Sequence, residues 1–129
     1  MRERRLERIL LVEDDPDIQL VASLALTRLG DFTVEVCSSG REALAAAPGF
    51  GPDLILLDAM MPVMDGPAAL KALRTIPEGS ATPVIFLTGR VQPQEIANYL
   101  KLGSLGVISK PFDPATLADR VREIWTRGR

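Results

Sequence analysis

Five short apolar segments recur along the chain, and three of them contain no polar residue. These three are residues 9–12, 54–57 and 84–87. A strand with one face in water alternates apolar and polar side chains, whereas an uninterrupted apolar run is typical of a strand covered on both faces. The other two segments are residues 33–36 and 106–108. Val34, Glu35 and Val36 do alternate, so the second segment is predicted to lie at a sheet edge.

Each apolar segment is followed by a stretch with the spacing of a one-sided helix. Boundaries are predicted by Gly30, which ends the first helix, and by Pro48 followed by Gly49, which end the second. Asp113 followed by Pro114 predicts an N-cap and first residue for the fifth helix. The predicted apolar stripes are Ile18, Val21, Ala22, Ala25 and Leu29; Ala43, Leu44 and Ala47; Leu70 and Leu73; Ile96, Tyr99 and Leu100; and Leu117, Val121 and Ile124.

The order strand–helix, repeated five times, predicts an α/β fold. Such an alternation gives a parallel sheet with helices on both faces, joined by right-handed crossovers. The 129 residues suffice for one ordinary domain. Because no linker, low-complexity tract or internal repeat interrupts the pattern, we expect a single domain over residues 1–129, with its core at about residues 8–127.

Composition excludes several classes of function. The chain has no histidine, which removes Ser-His and Cys-His nucleophile systems, imidazole bases and histidine-ligated metals. Cys37 is the only cysteine, so no internal disulfide can form, as suits a reducing cytoplasm. The net charge of −2 does not suggest direct nucleic-acid binding. No apolar run approaches the ~20 residues of a membrane span, so a soluble, cytoplasmic protein without membrane contact is expected.

Polar residues stand where four of the five predicted strands end. In an open parallel sheet, ligands bind outside the carboxyl ends of the strands, so these side chains are expected to meet at one edge. They are Glu13, Asp14 and Asp15 after the first strand, Asp58 after the third, Thr88 after the fourth, and Ser109 and Lys110 after the fifth.

Converging carboxylates repel one another, and a divalent cation removes the conflict. Mg²⁺ prefers hard oxygen ligands, which Asp14, Asp15 and Asp58 can supply. Asp58, alone at a central strand end, is the candidate nucleophile for an aspartyl phosphate. Lys110 and Thr88 would neutralise or bind the phosphoryl oxygens. A second interpretation of Asp14 and Asp15 is that they cap the first helix ahead of a proline.

Four motifs, in order, resemble the receiver domain of two-component response regulators over roughly residues 8–127. They are Glu13-Asp14-Asp15, the segment from Asp58 through Met61-Pro62 to Asp65-Gly66, Leu87-Thr88-Gly89 and Lys110-Pro111-Phe112. The resemblance implies a flavodoxin-like (βα)5 three-layer sandwich with sheet order 2-1-3-4-5. It also implies a cis peptide before Pro111.

The same resemblance implies roles for individual residues. Asp58 would be the phosphoacceptor, with Thr88 and Lys110 holding phosphoryl oxygens. Mg²⁺ would contact Asp15, Asp58 and the backbone carbonyl of Met60, and Asp14 would reach it directly or through water. Beyond its own phosphorylation and dephosphorylation, no enzymatic activity is implied.

The implied partners follow from this chemistry. The phosphoryl donor would be a phosphohistidine on a sensor histidine kinase or a histidine phosphotransfer protein, since this chain has no histidine. A downstream effector protein would receive the signal, and a second copy of the chain, in a homodimer, is a further candidate partner.

The sequence departs from the family pattern at one position. The residue three before Lys110 is usually aromatic in this family, with a ring that moves inward on phosphorylation, and here it is Val107. A valine cannot move a ring, so the output route is expected to differ, and Tyr99 is the nearest aromatic that could substitute.

Three alternative functions stay open from sequence alone. A receiver that binds partners without phosphorylation is compatible with Val107. A Mg²⁺-dependent phosphatase is disfavoured because Met60 occupies the place of the second acid/base carboxylate. A nucleotide-binding protein is disfavoured because no glycine-rich loop follows the first strand.

Overall fold

A computed structural model describes residues 5–128 of the chain. The outer limits of the predicted domain, residues 1–4 and 129, lie outside the described residues. The strands are β1 (Arg8–Val12), β2 (Thr33–Cys37), β3 (Leu54–Asp58), β4 (Val84–Thr88) and β5 (Gly106–Ser109). The helices are α1 (Pro16–Leu24, continued by a π-helical stretch over Ala25–Leu29), α2 (Gly40–Phe50), α3 (Gly66–Leu73), α4 (Pro93–Lys101) and α5 (Leu117–Arg127), with a short 3-10 turn at Pro77–Gly79.

All strand pairs are parallel, and the sheet order is β2-β1-β3-β4-β5. The predicted flavodoxin-like order is therefore confirmed, as is the edge position of β2. The Lys110–Pro111 peptide bond is cis, as predicted. Within residues 5–128, no helix has the length and apolar composition needed to cross a bilayer.

Two apolar layers cover the two faces of the sheet. Alternate residues of β1 point to opposite layers: Ile9 and Leu11 pack with α1 and α5, while Leu10 and Val12 pack with α2 and α3. All five residues of β3 and of β4 are buried. This two-sided burial is the physical reason for the uninterrupted apolar runs in the sequence.

The apolar stripe predicted for the first helix is wrong in part. Ala22 and Ala25 are buried, but Val21 and Leu29 are 41% and 64% exposed, and Leu26 lies in the core instead. The helix widens into a π-helical stretch from Ala25 onward. A π turn changes the rotation per residue, so the face that meets the core no longer follows α-helical spacing.

Two predicted helix boundaries are also wrong. Helix α2 continues through Pro48, because the ring of a proline holds φ near the helical value, and it is capped by Gly51 in the left-handed conformation at a φ of 64°. Helix α5 begins at Leu117 rather than at Pro114. The carboxylate of Asp113 accepts a hydrogen bond from the Ala115 backbone N–H at 2.9 Å, which forms a turn ahead of the helix.

Gly66 lies where the loop after β3 packs closely on the start of α3. A Cβ at Gly66 would lie 2.7 Å from Ala59 Cα and 2.7 Å from the Asp58 carbonyl oxygen, whereas a Cβ at Gly49 in α2 would meet nothing within 4 Å. We expect Gly66→Ala to lower the free energy of unfolding by about 1–3 kcal/mol. The control Gly49→Ala should be neutral or stabilising by up to about 1 kcal/mol. Urea denaturation measures both, and equal stability of the two variants would contradict the packing described.

Candidate functional site

The site is assembled from the carboxyl ends of four strands. Asp58 is the last residue of β3, and Thr88 is the last residue of β4. Glu13 directly follows β1, and Lys110 directly follows β5. Asp58, Thr88 and Glu13 are 1%, 1% and 0% exposed. The sequence-based prediction that Asp58, Thr88 and Lys110 share one edge of the sheet agrees with this placement.

Lys110 joins the two most buried carboxylates. Its Nζ lies 2.8 Å from Glu13 Oε1 and 3.1 Å from Asp58 Oδ1. Asp58 Oδ1 also accepts the Met60 backbone N–H at 3.1 Å, and Glu13 Oε2 accepts the Asp15 backbone N–H at 3.1 Å. One ammonium therefore bridges β1 and β3 through their acidic side chains, and backbone donors hold both carboxylates in place.

Burial governs the protonation of this pair. It raises the pKa of Glu13 from 4.5 to about 7; the hydrogen bond from Lys110 opposes the shift, and the neighbouring Asp58 adds to it. For Lys110, burial by itself lowers the pKa, but the hydrogen bonds and charges of Glu13 and Asp58 outweigh it and the net shift is upward. Lys110 is therefore charged, and Glu13 titrates near neutral pH.

A third carboxylate completes an acidic cluster. Oxygen atoms of Glu13, Asp14 and Asp58 all lie within 4.8 Å of one another. Asp58 Oδ2 is buried and has no hydrogen-bond partner among the described residues. Buried carboxylate oxygens without a donor are costly, and a hard divalent cation such as Mg²⁺ takes oxygen ligands of this kind. The residues present therefore fit a Mg²⁺ ion.

The structure places Asp15 differently from the sequence-based prediction. Its Oδ1 accepts the backbone N–H groups of Asp17 at 2.9 Å and Ile18 at 3.4 Å, so this carboxylate is the N-cap of α1. The acidic cluster contains Glu13, one position before Asp14, in its place. The sequence signal for this cap was the Asp15-Pro16 pair, because an aspartate followed by a proline is typical of a helix start. The interpretation of the acidic pair as a helix cap therefore holds for Asp15 but not for Asp14.

Sequence reasoning missed a polar support beneath the cluster. The Gln19 side-chain amide on α1 donates to the Glu13 carbonyl oxygen and to Ser38 Oγ, the latter at 2.9 Å. The Glu42 carboxylate in turn accepts the Ser38 backbone N–H at 2.9 Å. These bonds tie the loop after β1 to the loop after β2, and no motif in the sequence marks a glutamine for that purpose.

Thr88 ends the strand next to that of Asp58, and Met60 follows Asp58 by two residues. The Thr88 hydroxyl accepts the Arg90 backbone N–H at 3.0 Å and lies 3.5 Å from the Tyr99 hydroxyl. Met60 contacts Asp58 through its N–H, and its side chain is 57% exposed. The role of the Met60 carbonyl as a metal ligand stays a prediction.

Comparison with known proteins identifies the family. The family model described as the response regulator receiver domain matches residues 9–122. The chain belongs to this family. Its acidic cluster of Glu13, Asp14 and Asp58 lies with Lys110 at the carboxyl edge of the sheet.

Relatives of this receiver domain include longer regulatory proteins. It is 35% identical to the DNA-binding response regulator MtrA of Mycolicibacterium smegmatis, over 90% of this chain and 49% of that protein. It is 38% identical to the transcriptional activator protein IrlR of Burkholderia pseudomallei, over 95% of this chain and 52% of that protein. The chain thus spans about half the length of the curated relatives it matches.

Solved receiver structures share the fold over their whole length. The Vibrio cholerae chemotaxis protein CheY4 matches with a TM-score of 0.84 and 33% identity, covering 93% of this chain and 99% of that one. The receiver domain of the sensor histidine kinase PA1611 of Pseudomonas aeruginosa matches with a TM-score of 0.78 and 34% identity, over 92% and 96% of the two chains. That structure has a magnesium ion coordinated in its active-site cleft.

The raised pKa of Glu13 predicts a pH-dependent stability. Because the folded protein binds the Glu13 proton up to about pH 7 and the unfolded chain only to about 4.5, stability falls as pH rises through this window. Glu13→Gln, which cannot ionise, should match wild type near pH 5. It should exceed wild type at pH 8 by on the order of 2 kcal/mol.

Urea denaturation at both pH values, with a chelator present, measures this difference. The matched control is Glu35→Gln, the same change of side chain at an exposed position on the edge strand β2, compared with wild type at the same two pH values. A Glu13→Gln variant that loses stability relative to wild type at pH 8 would show that the ion pair with Lys110 outweighs the cost of burial.

Proposed function

We propose that Asp58 of this receiver domain accepts a phosphoryl group from a phosphohistidine on a sensor histidine kinase or phosphotransfer protein. The observation that carries the proposal is the state of Asp58: one oxygen is held by Lys110 and a backbone N–H, and the other is buried without a partner among the described residues. A carboxylate kept in this way, beside two further acidic residues, suits a cation and an incoming phosphoryl group.

The reaction forms one bond as it breaks another. A carboxylate oxygen of Asp58 attacks phosphorus, and the bond between phosphorus and the donor imidazole nitrogen breaks with its electron pair kept by the nitrogen. Lys110, already within 3.1 Å of Asp58, neutralises charge on the transferring oxygens. The Thr88 hydroxyl donates a hydrogen bond to a phosphoryl oxygen. Bound Mg²⁺ would supply further charge neutralisation to the same oxygens.

Glu13, Asp14, Asp58 and the backbone carbonyl of Met60 are the proposed holders of that Mg²⁺. The first three are supported by their mutual distances in the acidic cluster. The receiver domain of PA1611, with its magnesium in the cleft, supports the same cation for this chain.

The phosphoryl group would act as a signal rather than feed a metabolic reaction. It adds roughly −1.5 to −2 charge units at one edge of the sheet, enough to bias loop and helix surfaces toward an effector protein or a second copy of the chain. We expect catalysis to be limited to the domain's own phosphorylation and dephosphorylation, within a single domain whose core is about residues 8–127.

Intact mass after incubation with acetyl phosphate and Mg²⁺ tests the acceptor. We expect one phosphoryl adduct on wild type, lost in Asp58→Asn and in chelator. Asp65→Asn is the matched control, because Asp65 lies in the same loop and only caps α3 through the Ala68 N–H; its adduct should remain. An adduct on Asp58→Asn would place the acceptor elsewhere. No adduct on any folded variant, with acetyl phosphate or a phosphohistidine donor, would favour a phosphorylation-independent binding module.

The metal ligands are tested separately by calorimetric titration with Mg²⁺. Asp14→Asn and Glu13→Gln each remove a carboxylate from the cluster, and each should weaken Mg²⁺ binding about tenfold or more. Asp15→Asn removes a carboxylate that faces α1, so its affinity should stay within about threefold of wild type. If Asp15→Asn weakens binding more than Glu13→Gln does, the sequence-based assignment of Asp15 was correct.

A further inference from the structure

Tyr99, the only tyrosine of the chain, lies against the site residue Thr88. The two hydroxyl oxygens are 3.5 Å apart, and the Tyr99 ring packs on Phe86 with the ring centroids 4.9 Å apart. Tyr99 belongs to α4, and none of the residues of Pro93–Lys101 is buried. The ring of Tyr99 is therefore a main attachment of α4 to the core, and it ends beside the phosphorylation site.

A small residue on β5 lies in the same core layer as the Tyr99 ring. Val107 on β5 is the register partner of Phe86 on β4, and both Val107 and Tyr99 pack against the same core layer. Beside Phe86, the valine side chain covers less of the sheet surface than an aromatic would. The chain thus carries its aromatic ring on the helix rather than on the neighbouring strand.

The Thr88 hydroxyl can take part in only a few hydrogen bonds, as donor or as acceptor. A hydroxyl offers one proton and two lone pairs. The Arg90 backbone N–H, at 3.0 Å, takes one lone pair, which leaves the proton and one lone pair for all other partners. At 3.5 Å the contact with Tyr99 is long, and either hydroxyl could be its donor.

A phosphoryl group on Asp58 would determine which of the two hydroxyls, Thr88 or Tyr99, is the hydrogen-bond donor. This step rests on the proposed function. Thr88 follows Leu87, which is the register partner of Asp58, and its single proton would be given to an anionic phosphoryl oxygen in a charge-assisted bond. Tyr99 could then only donate, into the lone pair of Thr88 that remains. Because a hydroxyl that donates to an anion becomes a better acceptor, the Tyr99 bond should shorten.

We propose that Tyr99 is a positioning residue of this receiver domain, whose hydroxyl donates to Thr88 when Thr88 donates to the phosphoryl group, and that this chain of bonds fixes α4 to the phosphorylated site. Exposed apolar residues lie in and around α4, with Val91, Leu100 and Leu102 exposed by 40%, 45% and 49%. Phosphorylation is thereby communicated to a surface that a protein partner can contact.

The single tyrosine makes the test specific. In protein labelled with ¹³C only at tyrosine, one set of ring signals reports Tyr99, and it should shift when acetyl phosphate and Mg²⁺ are added. In hydrogen exchange, amides of α4 should exchange at least about threefold more slowly in the phosphorylated protein. Intact mass of the same samples gives the fraction phosphorylated.

Three variants separate the hydroxyl from the ring. Tyr99→Phe keeps the packing on Phe86 and removes only the donor, so its α4 exchange should match wild type before phosphorylation and show no slowing after it. Thr88→Ser keeps the hydroxyl and should retain the slowing. Asn98→Ala changes an exposed residue on α4 and should also retain it.

The outcomes distinguish this inference from the function beneath it. An adduct that leaves the Tyr99 signals and α4 exchange unchanged, or that speeds α4 exchange, overturns the role of Tyr99 while Asp58 stands as acceptor. Full slowing in phosphorylated Tyr99→Phe does the same. Absence of any adduct in wild type overturns the acceptor assignment and this inference with it.

Discussion

The Lys110 ammonium, set between Glu13 and Asp58, is the interaction on which the charged edge of the sheet depends. Without that cation, two buried carboxylates in contact would be costly to the fold, because burial and mutual repulsion both disfavour negative charge. One ammonium faces the three carboxylates of the cluster, and burial of Glu13, with Asp58 beside it, raises the pKa of Glu13 despite the hydrogen bond from Lys110. The protein thus keeps a destabilising surplus of negative charge at one place. Such surpluses are found where a ligand supplies the missing charge.

The parallel sheet makes this arrangement possible. Asp58 and Lys110 are 52 positions apart in sequence, yet Asp58 ends β3 and Lys110 follows β5, and the carboxyl ends of these strands lie at the same edge of the sheet. Side chains alternate between the two faces of a strand, so a shift of one residue in register would turn Asp58 toward a different layer. The uninterrupted apolar residues keep β3 and β4 buried on both faces, and the polar residues that end them, Asp58 and Thr88, mark where the covered segment stops.

Much of this could be predicted from sequence, and the features that the sequence leaves undetermined share one cause. Strand positions follow from apolar runs, and Asp58, Thr88 and Lys110 follow from strand ends, because both signals are local. Choosing between Glu13 and Asp15 requires knowing where β1 stops and α1 starts, since each step along the chain turns the side chain to another side. The π-helical stretch likewise depends on tertiary packing. Gly30 ends it at a point where a Cβ would lie 2.6 Å from the Leu26 carbonyl oxygen and 2.7 Å from Ala118 Cβ of α5. No local pattern contains that contact.

The aromatic ring beside Thr88 belongs to Tyr99 of α4, whereas β5 has Val107 in the same core layer, so a phosphoryl group on Asp58 would be sensed through the helix. A ring on β5 would have to move relative to a strand held by a hydrogen-bonded ladder. A ring on α4 moves with a helix that has no buried residue of its own, so its position responds to small energies. A hydrogen bond between two neutral hydroxyls contributes about 0.5–1.5 kcal/mol, and a charge-assisted bond next to it in the chain strengthens it by about 10–30%. Since each 1.4 kcal/mol is a factor of about ten in an equilibrium constant, one hydroxyl is enough to change the balance between two positions of such a helix.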